Sequence, residues 1–306
     1  MASSFNTNKI LGYEFAVALA AKKGLIAEVM PLIPAQDGET TIELTQGAFG
    51  GPMNTVSANA TDVSLSDLFT YKGSFNLEHK VVKHRILKST WRSQRGMKDA
   101  GVGLAQSLQT AIDKCGFDGL AGLFNAAHPR VGTGAGQVGS TKKFLDTGLA
   151  YLQGEAGAGT QDNLITSALS ETSLNTAIKL MAQYRTDRGN MLHLGLNGGL
   201  VLVVSTKNMQ LAHELVRSQL SGSDMADNFL RGIVSRVVVW AGFADDDDWF
   251  LIDPANCPVA VGWDPNQTEV RYSETTDGLF VELVAETKIG FGVAPYEPGI
   301  IGANVA

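Results

Sequence analysis

Residues 188–220, RGNMLHLGLNGGLVLVVSTKNMQLAHELVRSQL, and residues 228–252, NFLRGIVSRVVVWAGFADDDDWFLI, form the stretch whose reading decides the fold. Within it Leu200–Val204 is a continuous apolar run rich in valine, bounded by Gly198-Gly199 and by Ser205-Thr206. A short apolar run with turn residues at both ends describes a strand buried on both faces. A helix is expected directly after it. Ser205 or Thr206 offers a side-chain oxygen to the first-turn amides, and Met209, Ala212, Leu215, Val216 and Gln219 fall at helical spacing. Ile233–Trp240 and Trp249–Ile252 are β-forming runs joined through Gly242 to Asp248, which reads as a reversal between paired strands. Nothing in the block is a catalytic signature; it reads as scaffold.

The bulk composition agrees. A chain of 306 residues, 44% hydrophobic, can bury a sizeable core as one large domain or two ordinary ones. Lys and Arg number 24 against 31 Asp and Glu, a formal charge of −7. That sign excludes a chain wrapped throughout by phosphates, which needs concentrated cations. No apolar run approaches the roughly 20 residues that cross a bilayer. The opening MASSFNTNKILGYEFAVALAAKKG lacks a charged segment followed by a clean apolar one, so synthesis in the cytoplasm without a signal peptide is expected. Cys115 and Cys257 are too few and too far apart for a disulfide framework or a zinc site, and read as buried free thiols. Without a secretory route, the sequons at Asn59 and Asn266 carry no weight.

Tyr13–Lys23 has helical character but few large core residues, and reads as a frayed terminus or as an arm packing on the fold or on a neighbouring subunit. From Val29 to Leu87 the composition shifts to β-formers and turn residues. Thr40–Leu44 and Gly73–Leu77 alternate, and Val81–Leu87 stays extended with cationic positions. Between them lie the breaker-rich stretches Gly47–Met53 and Ser57–Asp62. An isolated hairpin is marginal in water, so this excursion reads as an inter-subunit arm in preference to a mobile loop. Val102, Ala105, Leu108, Ile112 and Cys115 then place one apolar stripe on a long helix, with Gly116 expected to end it and Asp118-Gly119 to turn the chain. Arg85, Lys88, Arg92, Arg95 and Lys98 gather beside Trp91, as a solvated helix start or as a contact with another subunit or a nucleic acid.

Three features invite chemistry. His128 in Asn125-Ala-Ala-His-Pro129 precedes a proline and is therefore extended, and no Ser or Cys nucleophile elbow lies nearby. Gly134-Ala-Gly-Gln-Val-Gly139 matches GxGxxG, the basis of an alternative reading as a nucleotide-dependent enzyme. However, no β-run precedes it, no amphipathic helix follows, and Ser140 stands where a phosphate loop requires Lys. Asp245–Asp248 has the carboxylate density of a divalent-cation site, yet adjacent residues on a tight turn point apart, so it reads as a solvated turn. No cofactor, metal or catalytic residue is expected. Leu174, Ala177, Ile178, Met181 and Ala182 describe a helix capped by Ser170 and stopped by Gly189. Val259–Trp263 reads as a short strand and Leu279–Phe291 as a longer one, broken near Lys288.

Several of these motifs recur in one order. Phe117-Asp-Gly119 precedes Leu123-Phe-Asn-Ala-Ala-His-Pro129; Asn163-Leu164 and Leu169-Ser170 open a helix; Gly189 precedes Leu200–Val204; and Asn228–Gly232 leads to Val237–Val239 and Trp249–Leu251. In that order, over residues 75–295, the chain resembles the major head subunit of Mu-like tailed phages. The resemblance implies an α+β chain of the HK97-type capsid fold. Its parts would be an N-terminal arm (1–28), an extended E-loop hairpin (29–88), a peripheral domain with a long spine helix (89–130 and 265–295) and an axial domain (131–264 and 296–306). It implies a virion structural protein that self-assembles as pentamers and hexamers into an icosahedral phage head around double-stranded DNA, without sequence-specific binding and without a membrane. The chain starts with the arm, so a separate scaffolding protein is expected, with a portal and a possible decoration protein. Arg85, Trp91, Arg92, Arg95, Lys72 and Lys80 are the candidate subunit-interface residues. Ser205-Thr206 replaces the family's usual proline at the strand end. Lys72, Lys80 or Lys83 would be placed for the covalent cross-link of some such shells, but no partner motif accompanies them and no cross-link is expected. The alternative within the fold is an encapsulin-like compartment enclosing protein.

Overall fold

The computed structural model describes residues 15–19, 24–36, 39–47, 70–91, 93–131, 138–150, 159–186, 191–217, 230–264 and 269–304. The strands in chain order are β1 (Leu32–Pro34), β2 (Thr41–Gly47), β3 (Thr70–Asn76), β4 (Glu78–Leu87), β5 (Leu149–Ala150), β6 (Thr160–Gln161) and β7 (Leu164–Ile165). They continue with β8 (Leu200–Val204), β9 (Val234–Val239), β10 (Trp249–Ile252), β11 (Val259–Trp263), β12 (Glu269–Glu274), β13 (Phe280–Val293) and β14 (Ile300–Ala303). The helices are α1 (Lys88–Trp91), α2 (Gln94–Gly122), α3 (Glu171–Gln183), α4 (Met209–Arg217) and α5 (Leu230–Ile233). Two compact units emerge, one of Met1–Ile42, Phe75–Gly116 and Ala260–Gly292, the other of Glu43–Ser74, Phe117–Val259 and Val293–Ala306.

In the first unit the sheet runs β1-β11-β13-β12, with β4 paired to β13. Alternate residues of β13, Val281, Leu283, Ala285, Thr287 and Ile289, are buried on one face. Ser107 of α2 meets His84, the register partner of Leu283, at 2.8 Å, so α2 lies over that face. The other face carries charge: Arg85 pairs with Glu282 at 3.1 Å and His79 with Glu286 at 3.6 Å. β13 runs unbroken to Val293, so the interruption expected at Lys288 is absent. Lys288 sits on the charged face, where its pairing with His79 in β4 continues the ladder.

The segment before β1 packs on its own chain. Ile26, Val29 and Met30 are buried, the Ile26 amide donates to Asp113 Oδ1 at 3.1 Å, and β1 joins β11 in parallel. Residues 15–19 are helical, and the remainder of the Tyr13–Lys23 stretch lies outside the described residues.

α2 does not stop at Gly116; it continues to Gly122. A Cβ on Gly116 would fall 2.3 Å from Ile26 Cγ1 and 3.0 Å from Val261 Cγ2, so glycine is there to admit a neighbour and not to end the helix. Beyond it Phe117, Leu120 and Phe124, at helical spacing, are all buried. Burying side chains of this size contributes about 1.5–3 kcal/mol each, which outweighs the cost of about 1 kcal/mol for each glycine inside a helix.

In the second unit the sheet order is β7-β14-β10-β8-β9. All five residues of β8 are buried, as its composition requires. Leu200, Leu202 and Val204 join Leu174, Ala177, Ile178 and Met181 of α3 and Ala212 and Val216 of α4 in one cluster. Val203, of opposite parity, pairs with Phe250, which meets Phe124 at 5.1 Å and Phe243 at 5.8 Å between ring centroids. Phe117 stacks on Trp240 at 4.6 Å. Ser170 caps α3 reciprocally with Ser173, as expected from the sequence, and the helix ends at Tyr184; Gly189 lies outside the described residues.

β9 and β10 are not a hairpin. Each pairs with β8, β9 in parallel and β10 antiparallel, because β8 has apolar side chains on both faces and takes the central place that the shorter-range pairing would deny it. Nor does Ser205 cap α4: its hydroxyl donates instead to the Asp246 carbonyl.

Gly116→Ala separates the two roles of that glycine. Helix propensity alone predicts a gain of about 1 kcal/mol, whereas overpacking against the fully buried Ile26 predicts a loss of about 1–3 kcal/mol. We expect the loss, read as a lower urea midpoint; a raised midpoint would refute the packing role.

Candidate functional site

Two sets of residues require placing: the basic residues around the start of α2, and the charged groups inside the second unit. Arg85 is held by Glu282 and lies 5.2 Å over the Phe280 ring. Lys80 pairs with Glu78 at 2.5 Å and Lys88 with Glu274 at 2.5 Å. Arg95 is 92% exposed and stands 3.8 Å from Asp99, one helical turn on. Trp91 is buried inside its own subunit, its ring 5.6 Å from that of Tyr272. Arg92 and the side chain of Lys72 lie outside the described residues; the Lys72 backbone belongs to β3. Lys80, Arg85, Lys88 and Arg95 thus each stand beside a local acid.

His128 is the centre of a buried network that the sequence did not reveal. It is 2% exposed, its amide donates to the Lys142 carbonyl, and its ring packs on Phe144 at 5.6 Å. The Arg130 amide donates to His128 Nδ1 at 3.0 Å, which leaves Nε2 as the protonated nitrogen facing Glu297 Oε2 at 3.0 Å. Arg130 donates to both Glu297 oxygens, at 3.2 and 2.8 Å, and its Nε to the Pro295 carbonyl at 3.0 Å. Gln161 donates to Glu297 Oε1 at 3.3 Å, and the Tyr296 ring lies 5.0 Å from the guanidinium. Burial alone would raise the Glu297 carboxyl, but the His128 hydrogen bond and the Arg130 charge outweigh it and hold the group below its usual 4.5.

A carboxylate with no exposed surface, its oxygens taken by three donors, has no room for an external substrate. Its work is to tie the Pro295–Glu297 segment to the loop at His128 and to β6. The one signal in the sequence was a lone acid between two prolines, Pro295-Tyr-Glu-Pro298, which has no recognisable spacing to His128.

The other two candidates resolve differently. Asp247 is paired with Lys207 at 2.7 Å, Asp245 accepts from the Asp247 amide at 2.9 Å, and Asn208 reaches the Asp246 carbonyl. The acidic run is therefore a turn pinned to the residues preceding α4. Among the described residues no three His, Cys, Asp or Glu side chains gather where a metal ion could be held. Residues 132–137 lie outside the described residues, so the glycine motif at 134–139 does too, apart from Val138 and Gly139. The Val138 amide donates to the Arg130 carbonyl, which brings the two ends of that stretch together. Neither Cys115 nor Cys257 is in a disulfide, and both residues are half-buried. Burial pushes the Cys257 thiol up to about 12. Among the described residues no helix is long and apolar enough to cross a membrane.

The chain matches no protein-family model. No curated protein matches it by sequence. Solved structures do match over nearly its whole length. The capsid of an empty GTA particle superposes with a TM-score of 0.54 at 12% identity, over 92% of this chain and 90% of that one. The capsid of Ralstonia phage GP4 gives 0.53 at 10% identity, over 90% and 86%. This is the HK97-type capsid fold. The mature capsid of bacteriophage PhiM1 extends the likeness, with 0.51 at 11% identity over 93% and 88%. At such identities the likeness is one of fold alone.

Glu297→Gln should cost about 3–5 kcal/mol, because it leaves the Arg130 charge buried and uncompensated. The pH dependence has a definite sign. A carboxyl depressed in the folded state contributes stability that is full above its unfolded value of 4.5 and lost as pH falls through the folded value. Urea midpoints measured from pH 7 to pH 3 should fall more steeply below 4.5 for the natural chain than for the variant. Parallel curves would exclude Glu297 from the acid transition.

Proposed function

We propose that this chain is the major capsid subunit of a Mu-like tailed phage, assembling as pentamers and hexamers into an icosahedral shell around double-stranded DNA. The observation that carries the proposal is the full-length likeness to capsid subunits. The isolated pairing of β2 with β3 supports it, since two strands alone are marginal in water and gain from a neighbour. So does the balance of charge: a chain of net −7 in which Lys80, Arg85 and Lys88 pair with local acids does not grip DNA, and allows it to be packed and released.

In this reading residues 1–28 hold the arm, and the E-loop within 29–88 centres on β2 and β3. The peripheral domain is 89–130 with 265–295, and the axial domain is 131–264 with 296–306. Repeated heterologous contacts with slightly different angles close the shell. Stability accumulates over many interfaces, so the parts of arm and loop that do not pack on their own subunit bury their surface on assembly. Arg85, Arg92, Arg95, Lys72 and Lys80 are the candidate interface cations, whereas Trp91 serves the interior of its own subunit. The chain has a structural role without catalysis. A separate scaffolding protein and a portal complete the head, with a decoration protein as an optional addition.

Purified protein viewed by electron microscopy is expected to form closed shells with five-fold vertices. Small uniform shells filled with protein would favour a cellular compartment, and monomers or dimers under all assembly conditions would overturn the capsid reading. Deleting residues 47–62 should leave a folded subunit, by circular dichroism, that no longer closes shells; normal shells from that deletion would refute the E-loop assignment.

A further inference from the structure

The charged face of β13 changes character along its length. Glu282, Val284, Glu286 and Lys288 share that face with Gly290 and Gly292, since alternate residues of a strand point the same way. β4 follows the edge of β13 only as far as the Glu78↔Ile289 pair. The residues just before β4, Phe75, Asn76 and Leu77, lie against the glycine end of that face.

The fit is close enough to exclude any side chain. A Cβ on Gly292 would fall 2.0 Å from Phe75 Cδ1 and 2.3 Å from its Cε1. On Gly290 it would fall 2.4 Å from the Asn76 carbonyl oxygen and 3.1 Å from Phe75 Cδ2. On Gly262, in β11, it would meet Ile42 Cδ1 at 2.5 Å, Phe75 Cε2 at 2.7 Å and Leu77 Cδ2 at 2.9 Å. None of the three glycines has positive φ, so their backbone conformation does not require glycine; the occupied space does. Ile42, Phe75 and Leu77 are buried, the Leu77 amide donates to the Thr40 carbonyl at 2.9 Å, and the Thr41 hydroxyl donates to Asn76 Oδ1 at 3.1 Å.

We infer that Gly262, Gly290 and Gly292 form a socket, and that Phe75, held in it, is the positioning residue that fixes the root of the β2–β3 pair. The opening residues of β2 and the closing residues of β3 are thereby held as part of the first unit. The socket stands on geometry alone; its consequence for shell closure rests on the capsid reading.

The test is hydrogen exchange on the free subunit together with shell assembly, using Gly292→Ala, Phe75→Val and the double variant. In Gly292→Ala the Leu77 amide should exchange on the order of tenfold faster, while Leu283 in the middle of β13 keeps its protection. Assembly of that variant should give irregular or open particles. Phe75→Val removes Cδ1 and Cε1, the two ring atoms nearest the new Cβ, so the double variant should recover Leu77 protection and closed shells relative to Gly292→Ala. A purely destabilising substitution would not be rescued in this way. Unchanged Leu77 exchange in Gly292→Ala, or a double variant no better than Gly292→Ala, would overturn the socket. If Gly292→Ala does not fold, Phe75→Ala takes its place: faster Leu77 exchange in a folded subunit upholds the proposal, and unchanged exchange refutes it. If the natural chain forms no shells at all, the capsid reading fails while the exchange data still decide the socket.

Discussion

The second unit depends on one constraint: β8 carries apolar side chains on both faces and must be covered on both. That requirement sets the rest of its architecture. One face collects the apolar stripes of α3 and α4, and the other collects an aromatic group in which Phe117, Phe124, Phe243 and Phe250 meet at ring distances of 5.1 to 6.2 Å. Its two edges are taken by β9 and β10, which would otherwise have been free to pair with each other. The aromatic side also explains the length of α2. Phe117 and Leu120 keep the helix going through a glycine-rich stretch because each turn added buries a large side chain, and Phe124 is buried just past its end.

Charge follows a different logic in each unit. On the open face of the first unit's sheet, acids and bases pair where water can reach them, and such pairs contribute about 0–1 kcal/mol apiece. Inside the second unit Glu297, His128 and Arg130 are shut away from solvent, where removing one partner is far more costly than the group is worth intact. The first arrangement leaves a surface open to rearrangement; the second fastens a segment near the chain's end in one position.

How much of this was legible in the sequence divides along the range of the interactions. β8 and α3 with its Ser170 cap announce themselves because their signals are local, a run of apolar residues and a polar residue before a helical stripe. The end of α2 did not, since Gly116 has the appearance of a stop and only the presence of Ile26, far away in sequence, shows that it makes space. The pairing of β9 and β10 with β8 was hidden for a similar reason: adjacency along the chain argued for a hairpin, and only the demand of β8 for two neighbours decides otherwise. Glu297 lies 169 positions from His128, beyond any spacing rule. The fold class was legible because the order of its elements carries it, whereas none of the six candidate interface residues could be tested for a shared surface from spacing alone.

β14 lies between β7 and β10 and is an inner strand of the second unit's sheet. Among the described residues it is the only strand of that sheet paired with β7, and it covers the edge of β10, whose four residues are all buried and apolar. A copy clipped ahead of Ile300 would therefore present an open apolar edge, the kind of template on which strands of different chains mispair and aggregate.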